Sequence, residues 1–169
     1  MIPLRNKVAY MGVFLALALI CSYVESLIPI SFGIPGVKLG LTNIVVVLML
    51  YCIGEKEALA VSVCRIVLAG FLFGNLFSIL YSLAGGLLSF LIMWAVKRTG
   101  KLGILPVSVC GGIFHNIGQL AVAALVVENY NVFYYLPVLL LAGAATGLAI
   151  GVVAQELIIR IGDRINFNR

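Results

Sequence analysis

The residues of this chain that could do chemistry are few, and they stand inside apolar runs: Glu25, Thr42, Asn43, Arg65, Asn75, His115, Asn116 and Gln119. Arg65 offers a planar fork of five donors, a shape matched to carboxylate or phosphate. His115 and the side-chain amides add neutral donors and acceptors. Gln119 follows His115 by four residues, which sets the two one turn apart on one helix face. This inventory suits a small polar or anionic ligand, with Arg65, His115 and Gln119 in a cavity opening outward and Glu25, Asn43 and Lys38 near its mouth. It also suits a purely internal arrangement, in which Arg65 pairs with Glu25 and His115, Asn116 and Gln119 tie helices together. Thr42 as a helix cap and Asn75 as a turn residue are the corresponding structural readings of those two.

Other chemistries lack their residues. No G-x-x-x-x-G-K-[ST] run is present, so the chain does not bind ATP as a P-loop protein does. The sequence has one aspartate, Asp163, whereas Mg²⁺-assisted diphosphate chemistry calls on clustered carboxylates. Cys21, Cys52, Cys64 and Cys110 are scattered through apolar runs without metal-ligand spacing and read as small buried hydrophobes. No serine or cysteine nucleophile is paired with a base in a recognisable motif. The expectation is a binding protein rather than an enzyme, with no cofactor and no metal.

The elements that position these residues are dictated by their solvent. Of 169 residues, 63% are hydrophobic and 10% charged, and the mean hydropathy is +1.20. Soluble domains carry about a quarter charged residues, so the solvent for most of this chain is lipid. The net charge of +5 does not argue for nucleic acid, because the cations fall in short clusters between apolar runs rather than along one face. Six apolar segments are expected: Val8–Ile28, Leu41–Ile53, Ala58–Phe73, Leu76–Val96, Ile104–Val127 and Val132–Ile161. Their continuous apolar character, without period-two alternation, predicts helices rather than barrel strands. The first segment is too long for a signal-peptide core and reads as a retained span. Segments two and three are short for a span of about 20 residues, and are expected to be tilted, kinked or packed inside.

With six spans both termini share a side, and charge chooses it. Nine of the eleven basic residues (Arg5, Lys7, Lys56, Lys97, Arg98, Lys101, Arg160, Arg164 and Arg169) fall on one side; Lys38 falls on the other and Arg65 within a span. The positive-inside rule then places both termini in the cytoplasm. Trp94, Tyr130, Tyr134 and Tyr135 sit where interfacial aromatics belong. The fold expected is an all-α integral membrane protein, one six-helix domain over residues 1–169. No internal repeat supports an inverted-repeat transporter.

Pro29 to Asn43 is the longest break between apolar runs. Pro29, Pro35, Gly33, Gly36 and Gly40 exclude a continuous helix, and Pro35-Gly36 reads as a turn. The expectation is an extracellular loop, residues 29–40, folded over or beside a ligand pocket, with Lys38 at its rim. Gly143, Gly147 and Gly151 recur every four residues and predict a flat ridge for close helix approach. Gly12 and Ala16 form a shorter small-residue stripe on the first segment, suited to internal packing or to docking a partner helix.

Three stretches carry a resemblance to a known family. P-G-V-K-L-G-L-T-N at Pro35–Asn43, F-x-F-G-N-L-F-S at Phe71–Ser78 and F-H-N-I-G-Q at Phe114–Gln119 resemble the Gx transporter family, also labelled heptaprenyl diphosphate synthase component I. Size and six-span topology are similar to the substrate-binding S components of bacterial energy-coupling factor (ECF) transporters. The resemblance implies an S-component-like bundle in a bacterial cell membrane. Such a subunit passes its ligand to a coupling transmembrane protein and two ATPases. It also implies that the first loop helps close the site and that Gly12 and Ala16 dock the coupling protein, although the family pattern there is A-x-x-x-A. The synthase label finds no aspartate-rich motif. The alternative is a non-transporting membrane subunit of a flavin/quinone or isoprenoid pathway.

Overall fold

A computed structural model describes residues 4–27 and 40–165, and side chains within 7–27 and 40–160. The loop over residues 29–39, with Lys38, lies outside the described residues. The described residues form six α-helices: α1 (Leu4–Leu27), α2 (Asn43–Cys52), α3 (Glu55–Phe73), α4 (Leu76–Arg98), α5 (Ile104–Val127) and α6 (Leu136–Ile165). A 3₁₀ turn over Tyr130–Tyr135 precedes α6, so the sixth apolar segment is divided where the sequence suggested one helix from Val132. Among the described residues, four stretches are long and apolar enough to cross a membrane, Lys7–Leu27, Leu76–Arg98, Ile104–Val127 and Tyr130–Arg160. Apolar side chains such as Val13, Phe71, Leu125 and Leu141 face outward, as a bundle solvated by lipid requires.

The second segment departs furthest from a membrane span. α2 has 10 residues, about 15 Å of helix against a hydrocarbon core of about 30 Å. A helix apolar all round must be covered all round. Accordingly eight of its ten residues are buried, and it touches each of the other five helices. Val45, Val47, Met49 and Leu50 anchor a core with Phe14, Ala18, Met93, Val107 and Ile150. α2 is the axle of the bundle rather than a member of its wall.

α5 is held between α4 and α6 by backbone contact. A Cβ on Gly118 would lie 2.7 Å from the Ala84 carbonyl oxygen, and one on Gly147 would lie 2.7 Å from that of Ser108. Gly143, Gly147 and Gly151 all face α5, so the predicted ridge is an internal helix contact. Two hydrogen bonds lock it, Ser108 Oγ to Gly147 O and Asn116 Nδ2 to Leu139 O, each 2.8 Å. Of the cysteines, Cys64 is exposed while Cys52 is buried; on a lipid-facing surface a thiol needs no burial.

Lys7, Glu55, Glu57, Lys97 and Arg98 gather at one end. Lys7 pairs with Glu57 at 2.5 Å, and Trp94 Nε1 donates to Glu55 Oε2 at 2.6 Å. Lys97 donates to the Leu50 carbonyl, capping the C-terminal end of α2, while Arg98 lies over the Trp94 ring. Tyr23 meets Phe73 at the far ends of α1 and α3. These two helices therefore run parallel, with Lys7–Glu57 at one end of the pair and the aromatic contact at the other.

Glu57 precedes the apolar stretch of α3. Burial would raise its carboxyl pKa, but the Lys7 hydrogen bond, its own backbone amide and the charges of Lys7 and Lys56 hold it below the ordinary range. A depressed carboxyl adds stability above its unfolded pKa and loses it as pH falls through the folded value. The α1–α3 contact should therefore weaken on acidification below about pH 4. Glu57→Gln should flatten that acid limb of a melting-temperature profile and cost roughly 0–1 kcal/mol at neutral pH. An unchanged limb would remove Glu57 from the acid response.

Candidate functional site

Glu25 closes the far end of α1. Ser22 lies three residues earlier on the same face, and both are buried although Tyr23, Val24 and Leu27 between and beyond them are exposed. Glu25 Oε1 accepts the Gly40 N–H at 2.5 Å, and Oε2 accepts the Thr42 hydroxyl at 3.4 Å. Ser22 Oγ lies 3.4 Å from the same hydroxyl. Thr42 is the residue before α2 but makes no side-chain cap; its hydroxyl serves α1 instead. The chain thus re-enters the bundle on a carboxylate latch.

Gly40 is the hub of this latch. Its φ of +76° is a left-handed conformation that favours glycine. The absence of a side chain also permits close approach, since a Cβ would lie 3.3 Å from Asn43 Nδ2 and 3.6 Å from His115 Cδ2. Gly40 O in turn accepts the Asn43 N–H at 2.8 Å. On the other side of His115, a Cβ on Gly85 would lie 2.8 Å from Gln119 Cγ and 3.2 Å from His115 Cε1. Glu25 of α1, Asn43 of α2, and His115 and Gln119 of α5, from three separate stretches of sequence, are therefore joined through two glycines.

Arg65 occupies the middle of α3, about 12 Å of helix from Phe73. It is 6% exposed and lies within electrostatic reach of Glu25. No ion pair joins it to Glu25: the pairs among the described residues are Lys7–Glu57, Arg98–Glu55 and Arg160–Glu156. Arg65 Nε and both amide atoms of Gln119 have no hydrogen-bond partner among the described residues. A buried polar atom left unpaired costs about 1–3 kcal/mol, and more when charged. Tyr51 Oη and Ser89 Oγ are likewise buried without a partner among the described residues.

The other expected site residues fall elsewhere. Asn116 is buried beside His115, but its amide donates to α6. Asn75 is exposed and caps α4 by accepting the Ser78 N–H at 2.9 Å. Gly12 and Ala16 are exposed on α1, and a Cβ on Gly12 would meet nothing within 4 Å. Ser22, Gly40 and Gly85 were not expected as parts of the site. Ser22 was accessible from its i, i+3 spacing to Glu25; the two glycines act only through tertiary contact and leave no local signal.

The latch makes a direct expectation. Glu25→Ala removes the acceptor for Gly40 N–H, a charge-assisted bond of about 1.5–3 kcal/mol. Hydrogen exchange over residues 40–44 should accelerate by roughly 10- to 100-fold, with Glu25→Gln intermediate. Unaltered exchange in the alanine variant would show that the latch does not hold the chain there.

The family model described as heptaprenyl diphosphate synthase component I matches residues 14–157. The chain belongs to this family. The match takes in every candidate ligand-binding residue from Glu25 to Gln119, and Ala16, and leaves out Gly12. No curated protein and no solved structure matches it. The Glu25–Gly40–Thr42 latch and the α5–α6 glycine contact both lie within the matched region.

Proposed function

We propose that this protein is a membrane-embedded substrate-binding subunit, S-component-like, for ATP-driven uptake of a small polar or anionic molecule. The observation that carries the reading is Arg65, a buried cation with an orphaned Nε, in an apolar bundle that also buries the polar groups of Glu25, Asn43, His115 and Gln119. Ionisable groups at membrane depth are costly and mark ligand or ion pathways. The six helices form one unit in a bacterial cell membrane, with both termini and the Lys7–Glu57 end cytoplasmic. Ligand reaches Arg65, His115 and Gln119 from outside, with Asn43, Glu25 and Asn116 supporting the site's walls. A coupling membrane protein docks at Gly12 and Ala16, and its ATPases drive release inward.

The family description contains the word synthase. With one aspartate in the sequence, the residues favour binding over prenyl transfer, and we take the chain as a non-catalytic subunit. Tagged protein purified from its native membrane should carry a small molecule, a second membrane protein and ATPase subunits, identified by mass spectrometry. Gly12→Leu should reduce recovery of those proteins without lowering the melting temperature. Recovery of no ATPase in gentle detergent or nanodiscs would overturn the uptake reading.

A further inference from the structure

Two of the side chains with buried unpartnered atoms, Arg65 and Gln119, differ in kind, and together they specify a ligand more narrowly than polarity does. Arg65 is the one buried arginine or lysine among the described residues. The carboxylate whose charge reaches it, Glu25, is already occupied by Gly40 N–H and the Thr42 hydroxyl. A planar anion is the complement that a guanidinium fork accepts best. Gln119 is 1% exposed, and its Nε2 and Oε1 both lack partners among the described residues. An amide in that state calls for one acceptor and one donor side by side, the pattern of another amide.

From this we infer that the ligand is a small monocarboxylate carrying an amide-like edge, namely a carboxamide, lactam or imide. This inference rests on the binding-subunit reading above. The carboxylate seats on Arg65 and the donor–acceptor edge on Gln119. Single charge follows from the count of buried groups. Glu25 already sets one negative charge near Arg65, so a second charge on the ligand would face a carboxylate with no further buried arginine or lysine to offset it. Phosphate monoesters and dicarboxylates are discriminated against on that ground.

Thermal unfolding of the full-length protein in lipid nanodiscs, stripped of bound small molecules, tests this with defined fragments. Malonamate, succinamate and glutaramate each join a carboxylate to a primary amide across spacers of increasing length. They are compared with acetate, the matching diamides, the matching dicarboxylates and inorganic phosphate. At least one half-amide should raise the melting temperature, and the comparison compounds should need about tenfold or higher concentrations for the same shift. Arg65→Gln should erase the response to the carboxylate, Arg65→Lys should keep part of it, and Gln119→Leu should reduce the half-amide to the level of acetate. Should the glutamine or leucine variant fail to fold, the fragment series on unaltered protein decides.

Equal stabilisation by phosphate or a dicarboxylate overturns the inference, as does the absence of any half-amide response. Recovery of ATPase partners is independent of these fragments. Partners retained with failed fragments overturn the ligand chemistry alone; fragments that stabilise a protein without partners overturn the uptake reading alone.

Discussion

Arg65→Met should leave the ligand-free protein as stable as the parent or more so, and should strip it of the small molecule that co-purifies. The two effects share a cause. Burying a guanidinium costs several kcal/mol of desolvation, and no ion pair to Glu25 offsets it. Replacing a buried ion by an apolar group of similar volume is often neutral or stabilising by about 1–4 kcal/mol. Removing one partner of a buried, hydrogen-bonded charge pair costs about 2–5 kcal/mol, so affinity should fall by roughly 30- to 4000-fold. The readouts are melting temperature in nanodiscs and occupancy of the extracted small molecule. A marked loss of stability with unchanged occupancy would assign Arg65 to the scaffold.

Gly112→Val should prevent the bundle from assembling. A Cβ on Gly112 would lie 3.1 Å from both Cα and N of Gly147, and closer still to the Gly143 carbonyl. These are backbone atoms on a helix, so α6 itself must move away. Separation would also stretch the Ser108–Gly147 and Asn116–Leu139 hydrogen bonds. A loss above about 4 kcal/mol is expected, visible as failure to recover monodisperse protein. Gly118→Val should act alike on the α4–α5 side, where Gly85 Cα would lie 2.9 Å from the new Cβ. Gly12→Ala is the control: nothing lies within 4 Å, and stability should stay within about 0.5 kcal/mol. A monodisperse Gly112→Val protein with the parent melting temperature would refute the α5–α6 contact.

The contrast between Gly12 and Gly112 shows what sequence spacing conveys. Gly12, with Ala16, reads from the sequence as a stripe for helix packing or docking, whereas no such pattern singles out Gly112. Gly112 meets another backbone, whereas Gly12 faces outward on α1. Spacing identifies a face on which close approach is allowed; it does not say whether another helix of the same chain takes it. The ridge Gly143–Gly151 was more legible because three turns of small residues leave α6 a flat surface with few alternative uses.

The site was legible in type and not in pairing. Buried polar residues in a greasy chain are conspicuous, and Glu25, Asn43, Arg65, His115, Asn116 and Gln119 are all buried in the structure. Asn75 belonged to the same set by composition, yet it is an exposed helix cap. Its place at a Gly-Asn turn carried that alternative from the start. Arg65 and Glu25 formed the obvious ion pair on charge alone. Instead Glu25 takes a backbone N–H and a hydroxyl from the re-entering chain, which leaves Arg65 without it.

The sequence by itself determined the solvent, the helical class, the clustering of cations and the short roster of polar residues, because composition and apolar run length are sums over local residues and need no tertiary partner. The tertiary structure alone decided that α2 is a half-length axle, that Gly40 joins Glu25 to His115, and that Asn116 is spent on α6 while Arg65 and Gln119 are not. Those outcomes depend on hydrogen-bond geometry that fails over a fraction of an ångström. They are set between helices distant in the chain, where neither periodicity nor charge counting reaches.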